Sequence, residues 1–329
     1  MIDQFGRKIT YLRLSVTDRC NFRCTYCMSE DVSFLPKKDL LTLEELEIIC
    51  SVFINKGIKK IRISGGEPLV RKNIIQLFER LGKKLNNSNL DELTLTTNGS
   101  QLKKYSSYLY DAGVRRVNIS LDTLDEKKFH LITKKNNILS VFEGIKAAQN
   151  SKLKIKINTV VLKGINDDEI DDLILWCGEN KFDLTLIETM PLGDTDILRS
   201  TNYLSLSKVK KELMKRWTLE DINFSSGGPA KYSIIKEANI KLGMITPMSN
   251  NFCSGCNRIR VTCTGKIYMC LGQNNSIDLK KALRSKQSYR SLENLIDQSI
   301  IEKPKKHNFT TAEFSGSSII ERTMNITGG

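Results

Sequence analysis

Short runs of apolar, largely β-branched residues recur along the chain up to about Gly193, with amphipathic segments between them. The runs cover residues 11–17, 60–64, 93–97, 117–121, 155–162 and 184–190. This alternation is typical of parallel strands joined by crossover helices. We therefore predict an α/β fold in which six β/α units form a partial, TIM-like (β/α)6 barrel.

The segments between the runs carry helix signals. Apolar side chains fall at helical spacing after the first run, at Leu43, Leu46, Cys50 and Phe53. Thr42 with Glu45 predicts a capping box at the start of that helix. Cys177 continues a similar stripe formed by residues 170, 173 and 174, so we expect Cys50 and Cys177 to be buried core residues.

The alternation fails after about Gly193. Residues 205–217 have the spacing of one helix, and a Ser-Ser-Gly-Gly-Pro turn at 225–229 precedes two short strands at 232–236 and 240–245. This change predicts two domains, a barrel of residues 1–224 and a smaller C-terminal α+β domain of residues 225–329.

Charge and cysteine content narrow the function classes. Lys and Arg number 51 against 37 Asp and Glu, so the net charge of +14 favours an anionic partner, which could be nucleic acid, a nucleotide triphosphate or an acidic membrane surface. No apolar stretch is long enough for a signal peptide or membrane span. Nine cysteines without a secretion signal favour metal binding or catalysis in a reducing cytoplasm.

Cys20, Cys24 and Cys27 form a C-x3-C-x2-C motif after the first run, with neither His130 nor His307 nearby. Two kinds of site fit this spacing. A closed zinc site would need a fourth ligand from elsewhere, whereas three thiolates on a four-iron cluster would leave one iron open for reaction.

A second motif, C-x2-C-x13-C, consists of Cys253, Cys256 and Cys270. Cys263 could complete a four-ligand zinc ribbon. Without it, the motif would hold a second three-cysteine cluster.

Several charged side chains interrupt apolar strand patterns, namely Arg13, Arg62 and Lys156, while Arg258 and Arg260 share one side of a further segment. The first three either face an anion inside the barrel or point outward beneath a helix. Arg258 and Arg260 either bind a phosphate or a base edge or lie on a solvated strand face. Loops follow four of the predicted strands, at residues 64–68, 96–99, 120–122 and 188–191. They either carry catalytic groups at the strand ends or are ordinary turns.

The terminal Gly-Gly is either a frayed end or a flexible segment that enters a site.

The first cysteine motif, with Tyr26 before the last Cys, resembles the signature of the radical S-adenosylmethionine (SAM) superfamily. The resemblance narrows to the GTP 3′,8-cyclase family, radical SAM enzymes that begin molybdenum cofactor biosynthesis. It runs nearly end to end through D-x-x-G-R-x-x-x-Y-L-R-x-S from Asp3, Gly-Gly-Glu-Pro, Thr-Thr-Asn-Gly, the second cysteine motif with Asn-Arg-x-Arg, and the Gly-Gly end.

This resemblance implies two [4Fe-4S] clusters, one held by Cys20, Cys24 and Cys27 and one held by Cys253, Cys256 and Cys270. It implies that the residues contacting SAM are Tyr26, Gly66, Ser120 and Met190. The implied GTP contacts are Arg13, Arg62, Thr96, Lys156, Arg258, Ile259 and Arg260. Catalytic roles are implied for Arg258, Arg260, Gly328 and Gly329. Cys263 departs from the family pattern, and we expect it not to be a ligand.

The implied reaction is reductive cleavage of SAM to a 5′-deoxyadenosyl radical, which takes hydrogen from C3′ of GTP and leads to 3′,8-cyclo-7,8-dihydro-GTP. An electron donor and a hand-off to cyclic pyranopterin monophosphate synthase are expected, for a cytoplasmic monomer or homodimer without nucleic-acid or membrane partners. The rival predictions are another radical SAM enzyme with an auxiliary cluster, and a basic zinc protein that binds nucleic acid. The latter would need exposed aromatic residues, and the aromatic content is only 7%.

Overall fold

A computed structural model gives the fold; it describes residues 1–193, 195, 199–285, 289–309 and 320–328, with only the backbone at 199 and 200. The strands are β1 (Tyr11–Ser15), β2 (Lys60–Ser64), β3 (Glu92–Thr97), β4 (Arg116–Ser120), β5 (Lys154–Val160), β6 (Asp183–Ile187), β7 (Leu219–Ile222), β8 (Lys231–Ile235), β9 (Ile240–Ile245), β10 (Arg258–Val261), β11 (Lys266–Tyr268) and β12 (Ser276–Asp278).

The helices pack around this sheet. They are α1 (Leu43–Asn55), α2 (Ile74–Gly82), α3 (Leu102–Asp111), α4 (Glu126–Thr133), α5 (Leu139–Asn150), α6 (Ile170–Asn180), α7 (Arg199–Asn202), α8 (Leu206–Leu213), α9 (Leu279–Arg284), α10 (Tyr289–Ile301) and α11 (Met324–Thr327).

Strands β1 to β6 are neighbours in chain order and all parallel. The predicted α/β partial barrel of six β/α units is thus confirmed. Several predicted runs extend past the strand ends: residues 161–162 and 188–190 leave the sheet and belong to the loops at its carboxyl edge.

The predicted start of α1 is confirmed in detail. Thr42 N–H donates to Glu45 Oε2 at 2.7 Å, and Glu45 N–H donates to Thr42 Oγ1 at 3.1 Å, which is a capping box. Cys50 and Cys177 are completely buried in the core, as expected.

The helix predicted for residues 205–217 is shorter than expected, because α8 ends at Leu213. Residues after it form turns, in which Trp217 N–H donates to the Leu213 carbonyl at 2.8 Å. The indole N–H of Trp217 donates to Asp171 on α6 at 2.6 Å, so this side chain is fixed by a neighbouring helix.

The C-terminal strands extend the barrel sheet at both edges. In the described residues, one twelve-stranded sheet runs in the order β12-β11-β10-β1-β2-β3-β4-β5-β6-β9-β8-β7. Strand β10 pairs in parallel with β1, and β9 pairs in parallel with β6. The outer pairs on each side are antiparallel. Strands that follow the predicted boundary at residue 224 therefore pair with both edge strands of the barrel, β1 and β6.

Across the described part of the chain, no helix has the length and apolar character needed to span a membrane.

Candidate active site

The first cysteine group follows the carboxyl end of β1. Cys20, Cys24 and Cys27 are free, partly buried thiols, and Cys27 N–H donates to the Cys24 carbonyl at 2.8 Å. All three line a cavity of about 280 Å³. Burial raises the pKa of the Cys20 thiol to about 11 and that of Cys27 to about 12. These thiols therefore keep their protons at neutral pH unless a metal replaces them.

Tyr26, within this motif, is held by a buried carboxyl group. Its O–H donates to Asp122 Oδ2 at 2.7 Å, and Val160 N–H donates to Asp122 Oδ1 at 2.8 Å. Burial raises the pKa of Asp122 to about 6. Because Asp122 follows β4, the carboxyl edge of the sheet orients the Tyr26 ring next to the cysteines.

The Gly-Gly-Glu-Pro loop packs tightly on the chain that follows β1. Gly66 N–H donates to the Thr17 carbonyl at 2.8 Å, and a Cβ at Gly66 would lie 2.3 Å from the Arg19 carbonyl oxygen. Backbone approach thus requires glycine here. Glu67 is completely buried and accepts the Asn98 N–H at 2.7 Å, which ties the loop to the end of β3.

Four arginines lie side by side in the cavity wall. Arg13 on β1 is in register with Arg62 on β2 and Arg260 on β10, and Arg258 precedes Arg260 by two residues. All four line the cavity, so their side chains lie on the inner face of the barrel and not on its outer face. Burial, together with the charges of Arg62 and Arg258, lowers the pKa of Arg13 to about 10. Burial and the same kind of repulsion hold the pKa of Arg260 well below its usual range.

The remaining predicted contact residues divide into two sets. Thr96, Ser120 and Met190 line the cavity, whereas Lys156 and Ile259 lie behind its wall. Lys156 Nζ donates to the Tyr232 hydroxyl at 3.0 Å. Burial first, and then the charge of nearby Arg62, places the pKa of Lys156 well below its usual range. Direct ligand contact by Lys156 and Ile259 stays a prediction.

The second cysteine group, Cys253, Cys256 and Cys270, lines the same cavity. Cys256 N–H donates to the Cys253 carbonyl at 3.1 Å, and Arg258 Nη2 lies 3.7 Å from Cys256 Sγ. Burial alone would raise the pKa of Cys256, but the charges of Arg258 and Lys303 outweigh it and lower this pKa to about 7. The electrostatic environment thus favours a thiolate at Cys256.

The two cysteine groups lie towards opposite ends of the barrel strands. Cys20 comes after β1, whereas Cys256 comes before β10, and these strands are parallel with Tyr11 opposite Arg258. At roughly 3.3 Å per residue, the five residues of β1 separate its two ends by about 13 Å. The four arginines project from the strands between these ends.

Cys263 lies apart from the second group. It is completely buried, its carbonyl accepts the Leu41 N–H at 2.8 Å, and its thiol is near Ser15, Asp18 and Arg71. Burial raises its pKa to about 12. This placement supports the expectation that Cys263 is not a ligand.

The C-terminal segment reaches the cavity wall. Arg260 Nη1 donates to the Gly328 carbonyl at 2.5 Å, and Met324 N–H donates to the Cys27 carbonyl at 3.3 Å. Gly328 has φ +75°, and a Cβ there would lie 2.1 Å from Ser64 Oγ. The predicted role of Gly329 falls outside the described residues.

Sequence reasoning missed three residues around the second cysteine group. Arg7 Nη1 donates to the Cys253 carbonyl at 2.9 Å, and its place in the D-x-x-G-R motif was the available signal. Lys303 Nζ donates to the Met269 carbonyl at 2.5 Å, and no local pattern pointed to it. His307 lines the cavity, and only the scarcity of histidine marked it.

Comparison with solved structures supports the fold. Streptococcus suis SuiB bound to S-adenosylmethionine aligns with a TM-score of 0.59 and 18% identity over 87% of this chain and 68% of that chain. Native anSMEcpe with bound AdoMet and the Cp18Cys peptide aligns with a TM-score of 0.58 and 16% identity over 93% of this chain and 84% of that chain. At these identities the likeness shows the fold alone.

Comparison of sequences is more specific. Residues 14–177 match the Radical SAM superfamily, and residues 182–309 match Molybdenum Cofactor Synthesis C. The GTP 3′,8-cyclase of Rhizobium etli (strain CIAT 652) is 55% identical over all of this chain and 94% of that protein. The GTP 3′,8-cyclase of Brucella ovis is also 55% identical, over all of this chain and 96% of that protein. The chain therefore belongs to the GTP 3′,8-cyclase family of radical SAM enzymes.

Proposed function

We propose that this chain converts GTP to 3′,8-cyclo-7,8-dihydro-GTP with SAM as the radical source, at the start of molybdenum cofactor biosynthesis. One observation carries the proposal: both cysteine groups and the four arginines line a single cavity. A nucleotide could thus span from the SAM-binding end to the second cysteine group, with its phosphates on the arginines.

The first cysteine group fits a [4Fe-4S] cluster. Three thiols of Cys20, Cys24 and Cys27 face the cavity, and thiolates are the ligands that iron–sulfur clusters use. Three protein ligands would leave one iron open for the amino and carboxylate groups of SAM. When bound, this cluster supplies the electron for reductive cleavage of SAM to the radical that takes hydrogen from C3′ of GTP.

Four residues at the carboxyl edge of the barrel would position SAM: Tyr26, Gly66, Ser120 and Met190. All four line the cavity. The Tyr26 ring is pre-oriented by Asp122, and the Gly66 loop is fixed against Thr17, so the edge needs little rearrangement to bind a ligand.

The arginine wall supports a triphosphate ligand. Four guanidinium groups in a buried wall repel one another, and Arg62 Nε has no hydrogen-bond partner among the described residues. Phosphate oxygens would accept from such groups in a bidentate way and offset the repulsion. We assign GTP contacts to Arg13, Arg62, Thr96 and Arg260, with Arg258, the backbone of Ile259 and Lys156 as further contributors.

The second cysteine group fits a second [4Fe-4S] cluster rather than a closed zinc ribbon. Cys253, Cys256 and Cys270 share the cavity, while the Cys263 thiol lies near Ser15. Three ligands would again leave one iron open, here for the guanine base. Arg258, next to Cys256, would then contact both the cluster site and the substrate.

The C-terminal segment is proposed to complete the catalytic site. Gly328 contacts Arg260 and packs on Ser64, so it can hold the arginine wall in the shape that binds substrate. Together with Gly329, Arg258 and Arg260, it forms the set of residues to which we assign catalytic roles.

This assignment implies a role for each of the two predicted domains and names the partners of the reaction. Residues 1–224 would carry the SAM half of the site and residues 225–329 the second cluster and base-binding half. An electron donor must reduce the first cluster, and the product would pass to cyclic pyranopterin monophosphate synthase. We infer a cytoplasmic monomer or homodimer that acts on a nucleotide and needs neither nucleic acid nor a membrane.

The test is anaerobic reconstitution with iron and sulfide, followed by incubation with SAM, dithionite and GTP. Mass spectrometry should detect 5′-deoxyadenosine that depends on GTP, together with an isomer of GTP. A Cys24→Ser variant is the matched control and should form neither product. If 5′-deoxyadenosine forms at the same rate with and without GTP, the assignment of GTP as the substrate would be wrong. A wild-type protein that binds zinc but no iron would contradict the whole proposal.

A further inference from the structure

Lys303 places a buried positive charge beside the second cysteine group. It follows α10, is only 2% exposed, and its Nζ donates to the carbonyl of Met269, the residue before Cys270. Among the residues that the structure describes, no carboxylate forms an ion pair with it. A buried ammonium without a counter-charge is costly, so an anion should lie nearby.

The cysteines are the groups that can supply this anion. Met269, whose carbonyl accepts the hydrogen bond from Lys303 Nζ, directly precedes Cys270 in the chain. Lys303 is also close enough to Cys256 for its charge to act on both thiols. Lys303 does not line the cavity, so its charge can act on the cysteine group without contacting substrate.

A cation also lies beside the first cysteine group, because Arg23 Nη1 donates to the Cys20 carbonyl at 2.8 Å. The two cations differ in burial, since Arg23 is only partly buried whereas Lys303 is almost completely buried. Solvent therefore screens the charge of Lys303 less than that of Arg23.

We propose that Lys303 is the buried counter-charge of the second cluster, a positioning residue whose ammonium group raises that cluster's reduction potential. The proposal rests on the proposed function, since it requires a cluster on Cys253, Cys256 and Cys270. Adding an electron makes the cluster more negative, and a cation in a low-dielectric environment stabilises the reduced form more than the oxidised form.

The experiment isolates the second cluster in the full-length chain. Cys20, Cys24 and Cys27 are replaced by Ser, the protein is reconstituted anaerobically, and iron content and the midpoint potential are measured by an EPR-monitored redox titration. Lys303→Met removes the charge at similar length, Lys303→Arg keeps it, and Lys305→Met removes an exposed charge two residues away.

We expect Lys303→Met to lower the reduced-to-oxidised ratio at a given potential at least tenfold, which corresponds to about 59 mV for one electron. Lys303→Arg and Lys305→Met should stay close to the background protein. An unchanged potential in Lys303→Met would overturn the proposal.

Cluster loss is also informative. Loss in Lys303→Met with retention in Lys303→Arg would support a need for the charge, and loss in both would show that packing matters instead and overturn the proposal. If the background protein itself binds no iron at the second site, the second cluster and the role of Lys303 are both wrong. That outcome is seen before any Lys303 variant is made, so the two failures are distinguishable.

Discussion

Arg260 Nη1 on β10 donates a hydrogen bond to the carbonyl oxygen of Gly328, at the C-terminal end of the described chain. The same segment is anchored on the first cysteine motif, because Met324 N–H donates to the Cys27 carbonyl. Asn325 Nδ2 also donates to the Asp18 carbonyl at 2.9 Å. The C-terminal segment therefore connects the arginine wall of the cavity to the loop that carries the first cysteine motif.

Gly328→Ala should lower product formation at least tenfold with little effect on iron content. The added methyl group would lie 2.1 Å from Ser64 Oγ, so the segment must move away from Arg260. Gly164→Ala is the matched control, since Gly164 has a similar φ of +73° but no atom within 4 Å of the added methyl. Steady-state assays of both variants measure the effect, and equal losses in the two would argue that backbone strain, and not the contact with Ser64, is responsible.

Arg62→Met should weaken GTP binding by about tenfold to a hundredfold, the usual range for losing hydrogen bonds to a charged group. The melting temperature of the ligand-free protein should stay unchanged or rise, because removing one of four clustered charges relieves repulsion.

Calorimetric titration with GTP and thermal unfolding measure these two effects on Arg62→Met. Arg290→Met, on the exposed face of α10, is the control and should change neither quantity. A variant that unfolds more easily while binding GTP normally would show that Arg62 is structural.

Asp122→Asn should become more stable relative to wild type as pH rises. Burial raises the Asp122 pKa from 3.8 to about 6. The protonated carboxyl group therefore contributes stability that is complete below about pH 3.8 and is lost as pH rises through about 6. Since one pKa unit corresponds to about 1.4 kcal/mol, the loss is on the order of 3 kcal/mol, and the amide of Asn avoids it.

Urea unfolding of the cluster-free protein at several pH values between 4 and 7 gives the free-energy difference for Asp122→Asn. Asp111→Asn, at an exposed position, controls for the general effect of removing a negative charge. A difference between Asp122→Asn and wild type that does not vary with pH would contradict the raised pKa.

Cys263→Ala should keep full iron content and activity, because the Cys263 thiol lies near Ser15, at the opposite end of β1 and β10 from the second cysteine group. The cost should be limited to a modest loss of stability from a small buried cavity. Cys270→Ala is the control and should lose the second cluster. Iron analysis and EPR would decide, and loss of that cluster in Cys263→Ala would place Cys263 among its ligands.

Local sequence predicted much of the barrel, because strand and helix periodicity are short-range properties. The six strands, the Thr42–Glu45 capping box and the buried state of Cys50 are all present in the structure. Helix α8 was predicted too long, since the spacing of Trp217 fits a helix but its side chain bonds to Asp171 on another helix. Strands β10 to β12 had weaker signals, because β11 and β12 are only three residues long and β10 pairs with β1, which is distant in the chain.

The amino-acid sequence by itself determined the two sets of three cysteines, the barrel repeats and, through resemblance, the family. Spacing and periodicity are local properties, so a short stretch of sequence is enough to show them. Only the tertiary structure decided that the arginines share one wall, that Cys263 is separated from the second cysteine group, and that Lys303 lies beside Met269. Those facts depend on pairing between β1 and β10 and on packing of segments remote in sequence, and such contacts leave no periodic pattern in the chain.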